Sequence, residues 1–421
     1  MAGRDAGVGT PLTAGGVYRG WVVVAAAFSV LFFAYGLQFS FGVFVTGMSA
    51  ELGWTRAQTA APYAVYVFAY GAFSVVTGRL TDRHGPRPVI AIGAVLLGLG
   101  WGASALVTQP WHLHVTLGCV AALGMSVTWV PCNATVSRWF TRRRGTAVAI
   151  ASTGGSLGNL VVPTLAAALV AAWGWRVTLA ALACTAALSM LVAARHMIRD
   201  PEAVGLWPDG AASAPPPSPA GSGRRLAEVR FTWPFMLVVA MYFMTWVPVF
   251  VPFVHAVAFA EDLGLGKIAA ASVLTAIGAG GVVGRLASGW VSDRIGRLNA
   301  LLIVFALQAL AFILFAQARD LAWLWAAATV FGFSYGGTVT LLPPLCGDLF
   351  GRAHVAAIVG MIFALAGAPA AIGPYFAGWA YDVSGSYVAA FYASAAFNLV
   401  AFVLAGVLLA LIAARRQAWH E

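Results

Sequence analysis

The chain has 421 residues, of which 61% are apolar and only 9% are charged. An average soluble domain contains about 25% charged residues, so a water-soluble enzyme or nucleic-acid-binding protein of this size could not cover its surface with so few charges. The formal net charge of +10 therefore needs an explanation other than binding to nucleic acid.

Twelve apolar stretches follow one another along the chain, and each is long enough to cross a membrane as an α-helix of about 20 residues. Spans 1 to 12 are predicted at 20–46, 59–81, 88–107, 111–139, 146–172, 175–197, 232–258, 268–292, 298–317, 321–343, 354–380 and 387–414. The first stretch is too long for the apolar region of a cleaved signal peptide, so it is predicted as span 1. The pattern predicts an all-α integral membrane protein.

A polar stretch between spans 6 and 7 contains the strings APPPSP and GSG, which are typical of a flexible linker. It divides the spans six and six. We therefore predict an N-terminal six-helix half at 1–198, a flexible cytoplasmic linker at 199–231 and a C-terminal six-helix half at 232–421.

The basic residues are distributed unevenly between the two sides of the membrane. Of the 24 Lys and Arg residues, nineteen lie on the side that holds both termini and the linker. Four lie on the other side, namely Arg56, Arg176, Lys267 and Arg319. Basic loops remain in the cytoplasm, so both termini are predicted to be cytoplasmic in a multi-pass protein of the cytoplasmic (inner) membrane. The positive charge then follows from topology.

The four cysteines lie in or beside apolar stretches, without a CxxC motif or a paired spacing. They are Cys119, Cys132, Cys184 and Cys346. We expect small buried apolar side chains here, and no disulfide, metal site or cofactor.

The two halves share a repeated sequence at an offset of 211 residues. The string from Gly78 to Arg87 reads GRLTDRHGPR between spans 2 and 3, and the string from Gly289 to Arg297 reads GWVSDRIGR between spans 8 and 9. Glycine allows close helix approach, and an Asp beside a helix N-terminus is electrostatically favoured. Arginines could then pair across the interface, although anchoring by positive loops is the alternative. The predicted cytoplasmic gate consists of Gly78, Asp82, Arg83, Arg87, Gly289, Asp293, Arg294 and Arg297.

These two strings resemble the G-x-x-x-D-R-x-G-R loop of the major facilitator superfamily. RWFTRRRG at 138–145 and GWTRA at 53–57 are similar to strings of its monocarboxylate-carrier and oxalate/formate-antiporter branch. The resemblance implies a major facilitator fold with a substrate site between the halves, near the bilayer midplane. A member of the superfamily with unrelated cargo is the alternative.

Arg285 on span 8 is the most specific candidate for the substrate site. It precedes Asp293 by eight residues, or about 12 Å along a helix, which places it near the middle of the membrane. An arginine there costs roughly 2.5–3.5 kcal/mol, so it should face a partner or a wet cavity. All fourteen acidic residues lie in loops, termini or helix ends. Arg285 is therefore predicted to grip a substrate carboxylate, although satisfaction by backbone carbonyls is the alternative.

The resemblance implies that an Arg on span 8 anchors the substrate carboxylate, and Arg285 occupies that position. Many proton-coupled monocarboxylate carriers have an Asp one turn earlier, where this chain has Gly281, and a Lys on span 1, near Phe39. The oxalate antiporter pairs its Arg with a Lys on span 11, whereas the stretch 360–374 has no Lys. One core cation disfavours a small dianion, and the absent Asp disfavours the usual proton relay.

The other candidate residues are polar or aromatic side chains at mid-depth. Tyr66 and Tyr70 share a face of span 2 with Tyr63, a pattern that is more often helix packing than binding. His255 on span 7 is a candidate for proton transfer or gating, because histidine titrates near neutral pH; a packing histidine is the alternative. The additional substrate-binding candidates are Gln38, Tyr66, Tyr70, Asn159 and Tyr335.

The sequence therefore predicts a secondary active transporter, not an enzyme, that moves a small organic anion of the monocarboxylate type by alternating access. Its expected partners are that anion, the lipid bilayer and a co-transported proton or counter-anion, and its functional unit is expected to be monomeric. An exporter of amphipathic or drug-like compounds is the alternative, and a membrane sensor without transport is a remote one.

Overall fold

The computed structural model describes residues 18–54, 56–211 and 223–417, and these residues form helices without a β-strand. The N-terminal half contains spans 1 to 6. Its helical segments are Arg19–Phe39 and Phe41–Leu52 (span 1), Arg56–His84 (span 2), Pro86–Ala103 (span 3), Pro110–Leu113, His114–Ala121, Ala122–Ser126 and Trp129–Trp139 (span 4), and Arg144–Ala194 (spans 5 and 6).

The C-terminal half contains spans 7 to 12. Its helical segments are Trp233–Trp246 and Val251–Asp262 (span 7), Lys267–Ile295 (span 8), Arg297–Ala316 (span 9), Leu321–Phe350 (span 10), Val355–Ile362, Phe363–Gly367, Ala368–Ala371 and Ile372–Ser384 (span 11), and Val388–Gln417 (span 12). Within the described ranges, nine stretches are long and apolar enough to cross a membrane, and one of them, Arg144–Ala194, contains two spans.

A glycine makes the corner between spans 5 and 6. Gly174 has φ +75° and ψ 166°, so the long helix is in fact two helices that meet at a sharp turn. L-residues with a side chain rarely adopt this conformation, whereas glycine does so readily. The prediction of two spans, separated near residue 174, is therefore confirmed.

The outer faces of the helices are apolar, as a lipid environment requires. Ile92, Leu99 and Val403 are all more than half exposed. Among the cysteines, Cys132 and Cys346 are buried as predicted, but Cys119 and Cys184 are exposed. That part of the prediction was wrong, because lipid tails are as apolar as the protein interior and a small apolar side chain has no need to be inside.

Among the described residues, the close backbone contacts between the two halves lie on one side of the membrane. We call it the linker side; it is the side predicted to be cytoplasmic. There, a Cβ atom on Gly78 would lie 2.5 Å from the carbonyl oxygen of Ala356, and one on Gly289 would lie 2.5 Å from that of Gly145. The two pairs of spans, 2 with 11 and 5 with 8, cross at these glycines because no side chain separates their backbones.

Along the same faces of spans 2 and 8, the two halves separate towards the other side of the membrane, which we call the far side. Gly71 lies two turns from Gly78 on one face of span 2, and Gly278 lies three turns from Gly289 on one face of span 8. A Cβ atom on Gly71 or Gly278 would have no described atom within 4 Å. The halves therefore diverge from the linker side, and the cleft between them opens towards the far side.

The flanks of the linker contain short helices. Its Pro-rich centre and both chain termini lie outside the described residues, but short helices form at Pro201–Val204, Pro208–Gly210 and Leu226–Val229. Asp209 accepts hydrogen bonds of 2.8 Å from the backbone N–H groups of both Thr141 and Arg142. These contacts attach the flanks of the linker to the helical halves, because acidic side chains of the linker bind donors of those halves.

Candidate substrate site and gate between the two halves

Arg285 lies on the inner face of span 8, where glycines bring spans 8 and 10 together. A Cβ atom on Gly336 would lie 3.2 Å from the Cγ atom of Arg285, so the start of this side chain packs against a backbone that carries no side chain. The side chain is almost fully buried, with 8% of its residue surface exposed. Its Cζ atom lies 5.7 Å from the ring centroid of Tyr335 on span 10, a cation–π distance.

The Arg285 guanidinium has no hydrogen bond or ion pair with any described residue, and its Nε is buried without an acceptor. A buried charge without a partner is costly. The alternative, in which backbone carbonyls satisfy the guanidinium, is therefore not what the described residues show. A planar cation with free N–H donors can accept a carboxylate through two parallel hydrogen bonds.

Tyrosines from both halves lie near this charge. Tyr35 on span 1 lies near enough to Arg285, Tyr70 and Tyr335 for electrostatic interaction. All three phenol side chains are partly exposed. Tyr70 and Tyr335 were predicted, whereas Tyr35 was missed; the available signal was its position one turn before Gln38, on the same face of span 1.

Gln38 and Tyr66 are more deeply buried than these three tyrosines. Gln38 is 4% exposed, and its Oε1 atom is buried without a hydrogen-bond donor. Tyr66 is completely buried; its ring lies 5.7 Å from those of Tyr63 and Tyr70 and 5.9 Å from that of Trp101. Tyr66 therefore does not line the cleft in this structure, because the rings of Tyr63, Tyr70 and Trp101 enclose it.

Asn159 lies on the opposite wall of the cleft. It is two turns beyond Ser152 on one face of span 5, and its side chain is exposed. The Ser152 hydroxyl is 3.4 Å from that of Thr340 on span 10, so this face of span 5 points towards the C-terminal half. The exposed amide of Asn159 is thus directed into the open part of the cleft.

His255 has packing partners inside the C-terminal half. Its Nε2 atom lies 2.9 Å from the carbonyl oxygen of Pro374, and its ring lies 5.0 Å from that of Tyr387. It therefore connects span 7 to span 11 near the far side. A hydrogen bond to a backbone carbonyl requires a proton on Nε2, which leaves Nδ1 as the acceptor of the neutral ring.

Asp293 joins span 8 to the N-terminus of span 5 in the other half. Its carboxylate accepts hydrogen bonds of 2.9 Å from the backbone N–H groups of Gly145 and Thr146, and one of 2.7 Å from the Thr146 hydroxyl. The carboxylate lies at the positive end of the helix dipole. Arg297 donates to the same carboxylate at 2.5 Å.

Asp82 makes the equivalent contact from span 2 to span 11, with fewer bonds. It accepts one hydrogen bond of 2.8 Å from the backbone N–H of Ala357. Arg138 donates to Asp82 at 2.5 Å and also to the carbonyl oxygen of Ala353 in the other half at 2.5 Å. Both side chains of the Asp82–Arg138 pair are about 95% buried.

The arginines of the gate motif are not the ones that cross the interface. Arg83, Arg87 and Arg294 are exposed, and the structure gives none of them an ion pair with a described residue. Arg294 instead lies over the ring of Trp290 on its own helix. Pairing across the interface by these three residues is therefore corrected: they follow the Asp by one or five positions, which turns them away from the opposite half.

Two buried arginines from the RWFTRRRG string, Arg138 and Arg144, make the contacts between the halves instead of the motif arginines. Arg138 connects Asp82 with the linker residue Asp200, at 3.2 Å, and Arg144 pairs with Asp348 of the C-terminal half. Asp348 also lies 3.3 Å from the Nε atom of Arg297. The sequence analysis treated this string as a family signature and missed its contacts, although three consecutive arginines beside a Trp-Phe pair were a signal.

Comparison with known proteins places this arrangement in a family. The model of the Major Facilitator Superfamily matches residues 27–371 and, in a second match, 256–418. The rat protein named monocarboxylate transporter 13 is 29% identical over 93% of this chain and 89% of its own length. The mouse protein named monocarboxylate transporter 11 is 32% identical over 90% of this chain and 85% of its own.

The fold agrees with this match. The crystal structure of a variant of the E. coli fucose:proton symporter FucP superposes with a TM-score of 0.69 at 15% identity, covering 91% of this chain and 98% of that one. The repeated gate motif, the two six-helix halves and the family match lead to one conclusion: this chain is a multi-pass membrane transporter, not an enzyme, and it belongs to the major facilitator superfamily.

Proposed function

We propose that the protein is a secondary active transporter of small organic monoanions, and that Arg285 anchors the substrate carboxylate. The observation that supports this most directly is the buried guanidinium without a partner, at a site where the two halves meet. An anion would supply the missing acceptor and neutralise the charge. The names of the two relatives, both monocarboxylate transporters, favour the same substrate class.

Alternating access assigns a role to the contacts on the linker side. We propose that the two motif copies and the arginines Arg138 and Arg144 close the gate in this outward-open conformation. Opening on the linker side must break the bonds from Asp82 to span 11 and from Asp293 to span 5. The linker side is then the cytoplasmic side of the cytoplasmic membrane.

The membrane potential limits how such a carrier can work. An inside-negative potential opposes entry of one negative charge by about 2.3 kcal/mol per 100 mV. Because the span cores contain no acidic residue, a proton would have to travel on the substrate or on His255. Accumulation therefore requires a co-moving proton or cation or an exchanged anion, whereas efflux needs neither.

The test is transport by the purified full-length protein in liposomes. We expect wild-type carrier to accumulate radiolabelled lactate-type acids. We expect Arg285→Ala to lose at least about 90% of the initial rate, and Arg285→Lys most of it, because a lysine lacks the planar two-bond geometry. Arg319→Ala, which removes an exposed far-side arginine, is the matched control. Wild-type rates in both Arg285 variants would contradict the assignment.

The same experiment separates the runner-up function. Export of amphipathic compounds is favoured by the aromatic contacts between the halves, such as the Trp129–Phe363 pair at 5.2 Å. Such an exporter would move hydrophobic dyes at equal rates in wild type and in Arg285→Ala, and it would not transport the carboxylates.

A further inference from the structure

Three spans lose their regular helical form beside one cluster of aromatic rings. The segment Trp129–Trp139 of span 4 begins with Trp129, after a turn at Val127 with φ −87° and ψ 2°. The segment Trp233–Trp246 of span 7 ends with Trp246. In span 11, a π-helical segment begins at Phe363. Each of the three aromatic residues is thus the first or last residue of its helical segment.

The ring of Phe363 contacts both of the other two rings, and its contact with Trp129 crosses the interface between the halves. Phe363 is stacked on Trp129 of the N-terminal half, with centroids 5.2 Å apart and planes at 28°. Trp246 meets Phe363 edge to face at 5.5 Å. Trp129 and Trp246 are 6% and 4% exposed, whereas Phe363 remains partly exposed. We call these three residues the aromatic floor.

The aromatic floor lies between the closed gate and the open cleft. One turn before Phe363, Gly360 still contacts span 2, where its carbonyl oxygen lies 3.2 Å from the Ser74 hydroxyl. Tyr70, one turn before Ser74 on span 2, lies 6.4 Å from Phe363. Tyr70 also lies near Tyr335, whose ring centroid is 5.7 Å from the Cζ atom of Arg285. Tyr70 therefore lies between the aromatic floor and the tyrosine that contacts Arg285.

Irregular backbone at membrane depth has a restricted set of explanations. It is tolerated only where protein buries it or where it lines a cavity, and interrupted helices near the midplane are typical of substrate sites in transporters. Short π-helical segments are likewise frequent at functional sites. The Trp246 indole Nε1 is buried without an acceptor, so this cluster is not fully satisfied by the described protein atoms.

We propose that the aromatic floor binds the body of the substrate, and that Phe363 determines specificity for carboxylates with a planar aromatic body. This inference rests on the proposed function, because it assumes that Arg285 holds the carboxylate. An aryl ring can stack on Phe363, whereas formate or acetate reaches only the guanidinium. The floor also separates the bound ring from the linker side until the gate opens.

The experiment compares three acids that differ in their body. Full-length carrier in liposomes is assayed for uptake of radiolabelled phenylacetate, in competition with unlabelled phenylacetate, cyclohexylacetate or acetate. We expect phenylacetate to compete best. Because aromatic pairs add roughly a three- to tenfold preference beyond their buried area, we expect Phe363→Leu to reduce the advantage of phenylacetate over cyclohexylacetate by that factor and to leave competition by acetate unchanged.

Two further variants keep the result interpretable. Phe376→Leu is the matched control, because Phe376 lies on the same span with 43% of its surface exposed. If Phe363→Leu does not fold, Phe363→Met removes the ring while it keeps a flexible apolar side chain. Equal competition by phenylacetate and cyclohexylacetate in wild type, or an unchanged ratio in the Phe363 variants, would overturn the inference. Uptake of acetate or lactate alone would also overturn it while the proposed function stands; uptake of no carboxylate would refute both.

Discussion

The two copies of the gate motif hold the opposite half in different ways. In the C-terminal copy, Asp293 receives three hydrogen bonds from the start of span 5, and Arg297 of the same motif neutralises it. In the N-terminal copy, Asp82 receives one hydrogen bond from span 11, and its counter-charge is Arg138, on span 4.

A one-residue difference in the motif accounts for this asymmetry. Arg297 follows Gly296 directly, whereas Pro86 follows the equivalent Gly85 and displaces Arg87 by one position. One position on a helix is a rotation of about 100°, so Arg87 points into solvent and Asp82 needs a partner from elsewhere. Arg138 supplies that charge and, through the carbonyl oxygen of Ala353, an additional bond between the halves. Repeated motifs therefore need not have repeated ion pairs.

The largest expected effect tests the role of Arg138. Arg138→Met leaves the buried Asp82 without a counter-charge, which should destabilise the protein by roughly 3–5 kcal/mol, measured as the loss in the unfolding midpoint in detergent. Arg297→Met should cost clearly less, because Asp293 keeps its donors from span 5. Arg83→Met removes an exposed arginine and serves as the control. Equal losses for Arg138→Met and Arg297→Met would contradict the comparison.

The next effect concerns the gate itself. Hydrogen bonds to a charged group contribute about 1.5–3 kcal/mol each, so Asp293→Asn should favour the conformation that is open on the linker side by at least about tenfold, and Asp82→Asn by less. The readout is the labelling rate, from the linker side, of a cysteine introduced at Ser152 in a cysteine-free background. A larger increase for Asp82→Asn would show that the bonds of Arg138, not those of the carboxylate, dominate the closed state.

A designed change should make the N-terminal copy resemble the C-terminal one. Pro86→Arg places a guanidinium four residues after Asp82, as Arg297 is placed after Asp293. Introduced into Arg138→Met, it should recover about 1–2 kcal/mol of the lost stability, because a nearby opposite charge favours the ionised Asp. Pro86→Gln in the same background is the control for loss of proline. No recovery beyond that control would mean that the register of the arginine does not explain the asymmetry.

A smaller effect is expected from the pair that connects the linker to the C-terminal half. Glu202 and Arg352 lie 2.8 Å apart and are both partly exposed. Exposed pairs contribute about 0–1 kcal/mol, so Glu202→Arg should raise labelling at position 152 by no more than about fivefold. The exchanged pair Glu202→Arg with Arg352→Glu should restore the wild-type rate if the pair acts across the interface.

The smallest effect lies on the far side, where Glu51 connects parts of a single half. Hydrogen bonds from Arg176 and Trp175 lower the pKa of Glu51. A lowered pKa means that the ionised carboxylate stabilises the fold above the ordinary pKa of glutamate, and that this contribution is lost as the pH falls through the lowered value. The midpoint difference between wild type and Glu51→Gln should therefore be present at pH 7 and disappear in acid. A constant difference would contradict this origin.

The sequence by itself determined the class of the protein and the positions of its spans. The apolar stretches predicted every span, because a membrane-spanning helix must satisfy its backbone internally over a fixed length. Arg285 could be identified for the same reason: a charge in an apolar span is conspicuous. The motif predicted that Asp82 and Asp293 would face helix N-termini, which is where the structure places their carboxylates.

Only the tertiary structure decided which side chains from different spans meet. Tyr66 shares a helix face with Tyr70 but is buried among Tyr63 and Trp101, while Tyr35 lies beside Arg285. Arg138 and Arg87 have the same charge and lie on the same side of the membrane, yet only Arg138 is directed towards Asp82. Helix periodicity fixes the direction of a side chain relative to its own helix. The rotation of that helix and its neighbours is set by packing of the whole bundle, and no local pattern in the sequence encodes it.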